Sequence, residues 1–232
     1  MPLVEFAGVS GVGKTTLLKR LFQFEKLQRW NPNIGSIPIA REVYSDTGDV
    51  LTGTRLKLWQ TKVRHVSERA ETEAMKSFHL GIASWHLRWD QGFPHHHAGP
   101  FSAIDEHFLQ LLFPELCWLV KTQPEGAKIF LQSRNFILLT DDPQHILERV
   151  RQRQVTGPRR PHLDGCDDAK ILTDSERFQA AMLAFLQAHE DFGYSWLVID
   201  MSNGFDAALS QAMAFMLGLE NIQKASARPD EA

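Results

Sequence analysis

Leu3-Val4-Glu5-Phe6-Ala7-Gly8-Val9-Ser10-Gly11-Val12-Gly13-Lys14-Thr15-Thr16-Leu17-Leu18 runs from a short apolar segment through a glycine-rich turn into a helical pattern. Leu3 to Ala7 reads as a buried strand ended by Gly8, and from Lys14 onward Leu17, Leu18, Leu21 and Phe22 recur at helical spacing. Gly8 and Gly13 enclose four residues and are followed directly by Lys14 and Thr15. Each part has a physical task. Glycine allows a turn that aims backbone N–H groups inward, the start of a helix adds partial positive charge, and Lys14 supplies a mobile ammonium.

This is the P-loop pattern in the setting that gives it meaning, after a strand and before a helix. The residues expected to surround a nucleotide's phosphates are Gly8, Ser10, Gly11, Val12, Gly13, Lys14, Thr15 and Thr16. Lys14 would reach the β and γ phosphates, and the Thr15 hydroxyl would hold Mg²⁺.

Outward from this loop the chain alternates strands and helices. Ile37 to Arg41 reads as a second strand despite Pro38, and Thr54 to about Gln91 as a long, mostly helical stretch. Phe101 to Ile104 reads as a third strand ending at Asp105, and Phe136 to Thr140 as a fourth. Asp142 and Pro143 open a helix carrying Ile146, Leu147 and Val150. Arg153 to Asp174 is rich in Gly, Pro, Arg and Asp and reads as a mobile loop. Phe178, Ala181, Met182, Phe185 and Leu186 mark a helix, Trp196 to Ile199 a fifth strand, and Leu209 to Leu217 a closing helix. Short apolar strands with little polar alternation imply a parallel sheet covered on both faces. The expected organisation is one domain over residues 1–222, with a lid at about 153–174 and a disordered polar tail at 223–232.

With 232 residues, 43% apolar and 23% charged, the chain suits one sizeable core, and a net charge of -3 offers no global basic field for nucleic acid. Cys117 and Cys166 stand apart in no metal-ligand spacing, which fits free thiols in a reducing compartment. No apolar run is long enough to span a membrane, and the N-terminus has no signal-peptide pattern, so a cytoplasmic location is expected. His95-His96-His97 lies between Pro94 and Gly99-Pro100 and reads as a surface loop rather than a metal site, because consecutive side chains diverge. Trp118 and Trp196 sit in apolar runs and read as core.

A carboxylate at the end of a neighbouring strand completes the Mg²⁺ site of such a loop. Asp105, followed by Glu106, is the candidate; Asp141 competes, but its neighbours fit a helix-opening turn. Phosphoryl transfer needs alignment and cations around the moving group. Arg149 and Arg153 lie four apart, on one helix face, and Arg159-Arg160 follow a Gly-Pro turn that could bring them over phosphates. Glu42 and Glu106, both expected at carboxyl ends of strands, are alternative candidates to orient or deprotonate an acceptor. Arg55 and Arg88, in the long helical region, are candidates to hold it.

Together, the N-terminal P-loop, Arg41-Glu42, Asp105-Glu106-His107 and Arg149 to Arg160 resemble the thymidylate kinase and deoxynucleoside kinase group over about Leu3 to Met201. The resemblance implies a P-loop NTPase three-layer α/β sandwich with five parallel strands in order 2-3-1-4-5, helices on both faces and an arginine-bearing lid. It also implies Mg-ATP as phosphoryl donor and a small-molecule acceptor, a nucleoside or nucleoside monophosphate. By position, Arg41 and Glu42 would lie near the acceptor, Asp105 and Glu106 at the acidic strand end, and Arg149, Arg153, Arg159 and Arg160 in the lid. The chain departs from thymidylate kinases at Ser10, where they carry an acidic residue, at Glu106-His107 and at Val43-Tyr44-Ser45.

Other readings stay open: a kinase for a sugar or other metabolite, a P-loop ATPase doing regulatory or mechanical work, or a non-catalytic nucleotide-binding module. Against an ATPase stand the missing Leu-Ser-Gly-Gly signature and second domain; against a GTPase, the missing Asn-Lys-x-Asp stretch. No membrane or nucleic-acid partner is expected, and a homodimer is left open.

Overall fold

Leu3–Ala7 forms β1, every residue of it buried, in a computed structural model that describes residues 3–24, 31–33, 50–68, 72–96, 102–105, 108–156 and 166–226. The glycine loop follows, then helix α1 (Lys14–Leu21), β2 (Asn31–Asn33), α2 (Val50–Glu68), α3 (Glu73–His96) and β3 (Ser102–Asp105). Next come α4 (Phe108–Leu111), α5 (Phe113–Thr122), α6 (Pro124–Gln132), β4 (Arg134–Thr140), α7 (Pro143–Thr156), α8 (Asp168–Ala188), β5 (Trp196–Asp200) and α9 (Phe205–Ser226).

All strand pairs are parallel. β1 lies between β3 and β4, β5 pairs outside β4, and the short β2 segment pairs along β3, giving the order β2-β3-β1-β4-β5. The chain therefore builds outward from β1 in both directions. The carboxyl ends of β1, β3, β4 and β5 share one edge, where the strand order reverses and where open α/β sheets take their ligands.

Alternate residues of the strands feed two cores. Val4, Phe6, Ile137 and Leu139 pack with Leu17, Leu18 and Leu21 of α1 and with α7 and α9. Ala7, Phe136 and Leu138 pack with α2 to α6 and the later part of α8. Strands buried on both faces explain the continuous apolar runs.

Several expectations are revised. Four strands are full elements and the second is a three-residue edge segment at Asn31–Asn33; the expected strand Ile37 to Arg41 lies outside the described residues. The long helical stretch is two helices, the second running past Gln91 to include His95 and His96. Of the expected lid, 153–156 belong to a helix, 168–174 to the next, and 157–165 lie outside the described residues. Arg153 belongs to α7, and α8 begins at Asp168 because Asp167 caps it, accepting from the Lys170 N–H at 2.6 Å. α9 extends to Ser226, through the start of the expected tail, where the sequence Gln223-Lys224-Ala225 has high helix propensity.

Candidate functional site

The loop from Gly8 to Gly13 is shaped by three glycines with positive φ: Gly8 at 143°, Gly11 at 94° and Gly13 at 108°. Space constrains two of them as well. A Cβ on Gly8 would lie 2.6 Å from the Leu139 carbonyl oxygen, and one on Gly11 would lie 3.0 Å from Val150 Cγ2 and 3.2 Å from the Ile146 carbonyl oxygen. The loop is thus pressed against β4 and α7. Gly13 occupies the N-cap position of α1 in the left-handed region, with no side chain capping the helix. The first-turn N–H groups are the kind that anions take.

Lys14 is buried at 3% exposure, and its Nζ donates to the carbonyls of Gly8 at 2.7 Å and Val9 at 3.0 Å. Thr15 Oγ1 donates to Asp105 Oδ2 at 2.5 Å. This bond joins α1 to the end of β3, and the register explains it: Asp105 pairs with Phe6, just before the loop.

Asp141, the competing carboxylate, is committed elsewhere. It receives hydrogen bonds from Arg149, from the Asp142 N–H at 2.7 Å and from His145 at 3.0 Å, while Gln179 clasps its backbone on both sides. Burial pushes the Asp141 carboxyl up, but bonds from Arg149 and His145 and the Arg149 charge outweigh it, and the net shift is downward. Asp142 accepts from the Gln144 N–H at 2.7 Å, at the opening of α7.

Beside the loop lies a cleft of about 410 Å³. Val9 and Ser10 form its loop side, Gln110 of α4 and Val150 of α7 its flanks, and Ile171, Ser175 and Phe178 of α8 its far wall. The body is apolar, and charge sits at the rim, where Asp174 takes Lys170 at 2.9 Å and Arg177 at 3.2 Å. The Gln110 Oε1 atom is buried without a hydrogen-bond partner among the described residues. A donor on a bound molecule would satisfy it.

Of the residues singled out in the sequence, the structure brings together the glycine loop, Lys14, Thr15 and Asp105. Arg149 is held by Asp141, and Arg153 is exposed further along α7. Arg55 is engaged away from this edge, its Nε 2.7 Å from Asp90 Oδ2. Arg41, Glu42, Glu106, Arg159 and Arg160 lie outside the described residues, as does the side chain of Arg88. Sequence reasoning missed the cleft residues Gln110, Ser175 and Phe178, which nothing local in the sequence marks. Among the described residues no group of three or more His, Cys, Asp or Glu could hold a metal, and no helix is long and apolar enough to cross a membrane. A scan against protein-family models finds no match, and a search of curated proteins finds none either.

Proposed function

We propose that this chain is an ATP-dependent kinase of the P-loop type, transferring the γ-phosphoryl group of ATP to a small-molecule acceptor, a nucleoside or nucleoside monophosphate. The observation that carries the reading is the Thr15–Asp105 contact at the mouth of a glycine loop whose positions leave no room for a Cβ at Gly8. A hydroxyl and a carboxylate are hard oxygen donors, and Mg²⁺ needs only one or two such protein ligands because it keeps water and shares phosphate oxygens. The parallel sheet, with its strand order reversing at the loop, is compatible with the P-loop sandwich.

Thr15 and Asp105 would hold Mg²⁺, which supplies charge neutralisation at the β and γ phosphates. The loop amides and the start of α1 would bind the phosphate oxygens. Lys14 would exchange its two carbonyl partners for them. The acceptor would lie in the cleft that begins at Val9 and Ser10, with its hydroxyl or phosphate oxygen toward the loop. That oxygen would form the new bond to phosphorus as the bond to the bridging oxygen of ADP breaks. A hydroxyl acceptor would pass its proton to a carboxylate, Glu106 or Glu42 in this reading, whereas an ionised phosphate oxygen has none to pass and the carboxylate would only help orient the acceptor. Arg153, exposed on α7, would add positive charge as negative charge spreads over the transferring group. The free thiols of Cys117 and Cys166 suit a cytoplasmic protein.

The test is ATP turnover by the full chain with and without nucleosides, nucleoside monophosphates, sugars and other hydroxyl metabolites. Phosphorylated acceptor with stoichiometric ADP supports the reading. Hydrolysis that no acceptor accelerates, yet a protein or nucleic acid does, replaces it with an ATPase.

A further inference from the structure

Glu5 is the one polar residue of β1, and its side chain is completely buried. Its Oε1 accepts the backbone N–H of Leu109 at 2.5 Å, while Oε2 is buried without a hydrogen-bond partner among the described residues. Nearby, Arg134 of β4 is also buried, 4.7 Å from the Phe108 ring and 3.8 Å from the Phe130 ring by its guanidinium carbon. Arg134 Nη2 reaches Asp90 of α3 at 3.1 Å. An isolated buried carboxylate is expensive, and an apolar residue of similar volume is the cheaper filling for a central strand. What an apolar side chain could not do is accept the Leu109 N–H. That group lies in the first turn of α4, where helices leave donors without internal partners.

The position of that bond matters for the site. Asp105 is tied to β1 through its register with Phe6, and Leu109, four residues on, is tied to β1 through Glu5. Both ends of the segment carrying the acidic strand end are therefore fastened to the strand that feeds the glycine loop. Resting on the kinase reading above, we propose that Glu5 is a positioning residue for the Mg²⁺ site: by anchoring α4 to β1 it holds Asp105 against Thr15. Its own carboxylate touches neither nucleotide nor metal.

The experiment compares affinity of the full chain for ATP with Mg²⁺ and with EDTA, by calorimetry, in wild type, Glu5→Gln and Glu5→Leu. Glu5→Gln keeps a carbonyl acceptor for Leu109 and should retain the Mg²⁺-dependent gain within about threefold. Glu5→Leu should lose most of that gain, about tenfold or more, while Mg²⁺-free affinity, set by the loop amides and Lys14, stays within about twofold. Should Glu5→Leu fail to fold, Glu5→Leu/Arg134→Met removes both buried charges and leaves Asp90 paired with Arg55; the same loss is expected there. A full Mg²⁺-dependent gain in either folded leucine variant overturns the proposal. Wild type that binds ATP with no Mg²⁺-dependent gain, or not at all, overturns the kinase reading beneath it instead.

Discussion

The Lys14 ammonium donates to the Gly8 carbonyl at 2.7 Å, so the cation that a phosphate would attract is held on the backbone of the loop itself. A ligand must offer it better partners than Gly8 and Val9, and phosphate oxygens do, since they bring a full negative charge to the ammonium where a carbonyl brings only a dipole. Lys14→Ala should therefore lower kcat/KM about a hundredfold to a thousandfold. The two released carbonyls belong to the buried residues Gly8 and Val9 and lose their donor away from water, so thermal unfolding should fall by several degrees while the fold persists. A Lys14→Ala variant with near-normal turnover would remove the loop from the chemistry.

Asp105 and Thr15 make a separate prediction because the hydrogen bond and the charge can be parted. Asp105→Asn keeps an oxygen able to accept from Thr15 but loses the negative charge that a divalent cation needs. Fold and Mg²⁺-free nucleotide affinity should persist. The Mg²⁺ concentration giving half-maximal turnover should rise about tenfold or more. A Mg²⁺ titration of steady-state rates reads this directly, and an unshifted midpoint would show that Asp105 is not the metal ligand.

The glycine loop could be read in the sequence because its chemistry sits in consecutive residues, each needed for a local reason. Asp105 was readable as an acid ending an apolar run. The cleft was not: Val9, Gln110 and Phe178 meet only after the sheet has arranged β1, β3 and β4 side by side. Edge pairing was equally hidden. Asn31–Asn33 carries no strand pattern and is defined by its bonds to β3, whereas α2 and α3 share one helical signal although they are two elements, Val50–Glu68 and Glu73–His96. The ends of the expected lid fall in α7 and α8, where Arg151 binds Asp168 and, at 2.8 Å, the Cys166 carbonyl, a contact between the two helices that composition does not reveal. Glu5 passes in the sequence as part of an apolar strand, because its partner Leu109 is 104 positions away.

Arg149 and Arg153 share a helix face but should respond differently to substitution. Arg149 supports the buried Asp141, so Arg149→Ala should reduce unfolding free energy by about 1–3 kcal/mol. It should also alter acid unfolding. Asp141 has its carboxyl held below the usual range, so its contribution is present above the ordinary carboxylate pKa and is lost as pH falls through the depressed value. Without Arg149 that loss should begin at higher pH. Arg153→Ala should leave stability within about 0.5 kcal/mol, as exposed positions do, and lower kcat more than ATP affinity. Urea unfolding and steady-state kinetics on both variants separate the roles; an unchanged kcat in Arg153→Ala would exclude it from the mechanism.

Glu5 predicts a pH dependence of the opposite sense. Burial lifts its carboxyl from 4.5 to about 7, with Arg134 and the Leu109 N–H opposing that rise only in part. Between those values the folded chain holds a proton that the unfolded chain has released. Stability from this group is therefore complete below pH 4.5 and is lost as pH climbs through about 7. The difference amounts to at most about 3 kcal/mol, from 1.36 kcal/mol per unit. Glu5→Gln has no proton to lose. Its unfolding free energy should be flatter from pH 5 to pH 8.5, and at the upper end it should exceed wild type, provided its amide keeps the Leu109 bond. Denaturant unfolding across that range, with both proteins in the same buffers, tests the sign as well as the size. A wild-type curve that rises over this interval in parallel with Glu5→Gln would mean that Glu5 is already ionised when folded, with Arg134 meeting the charge that burial exposes.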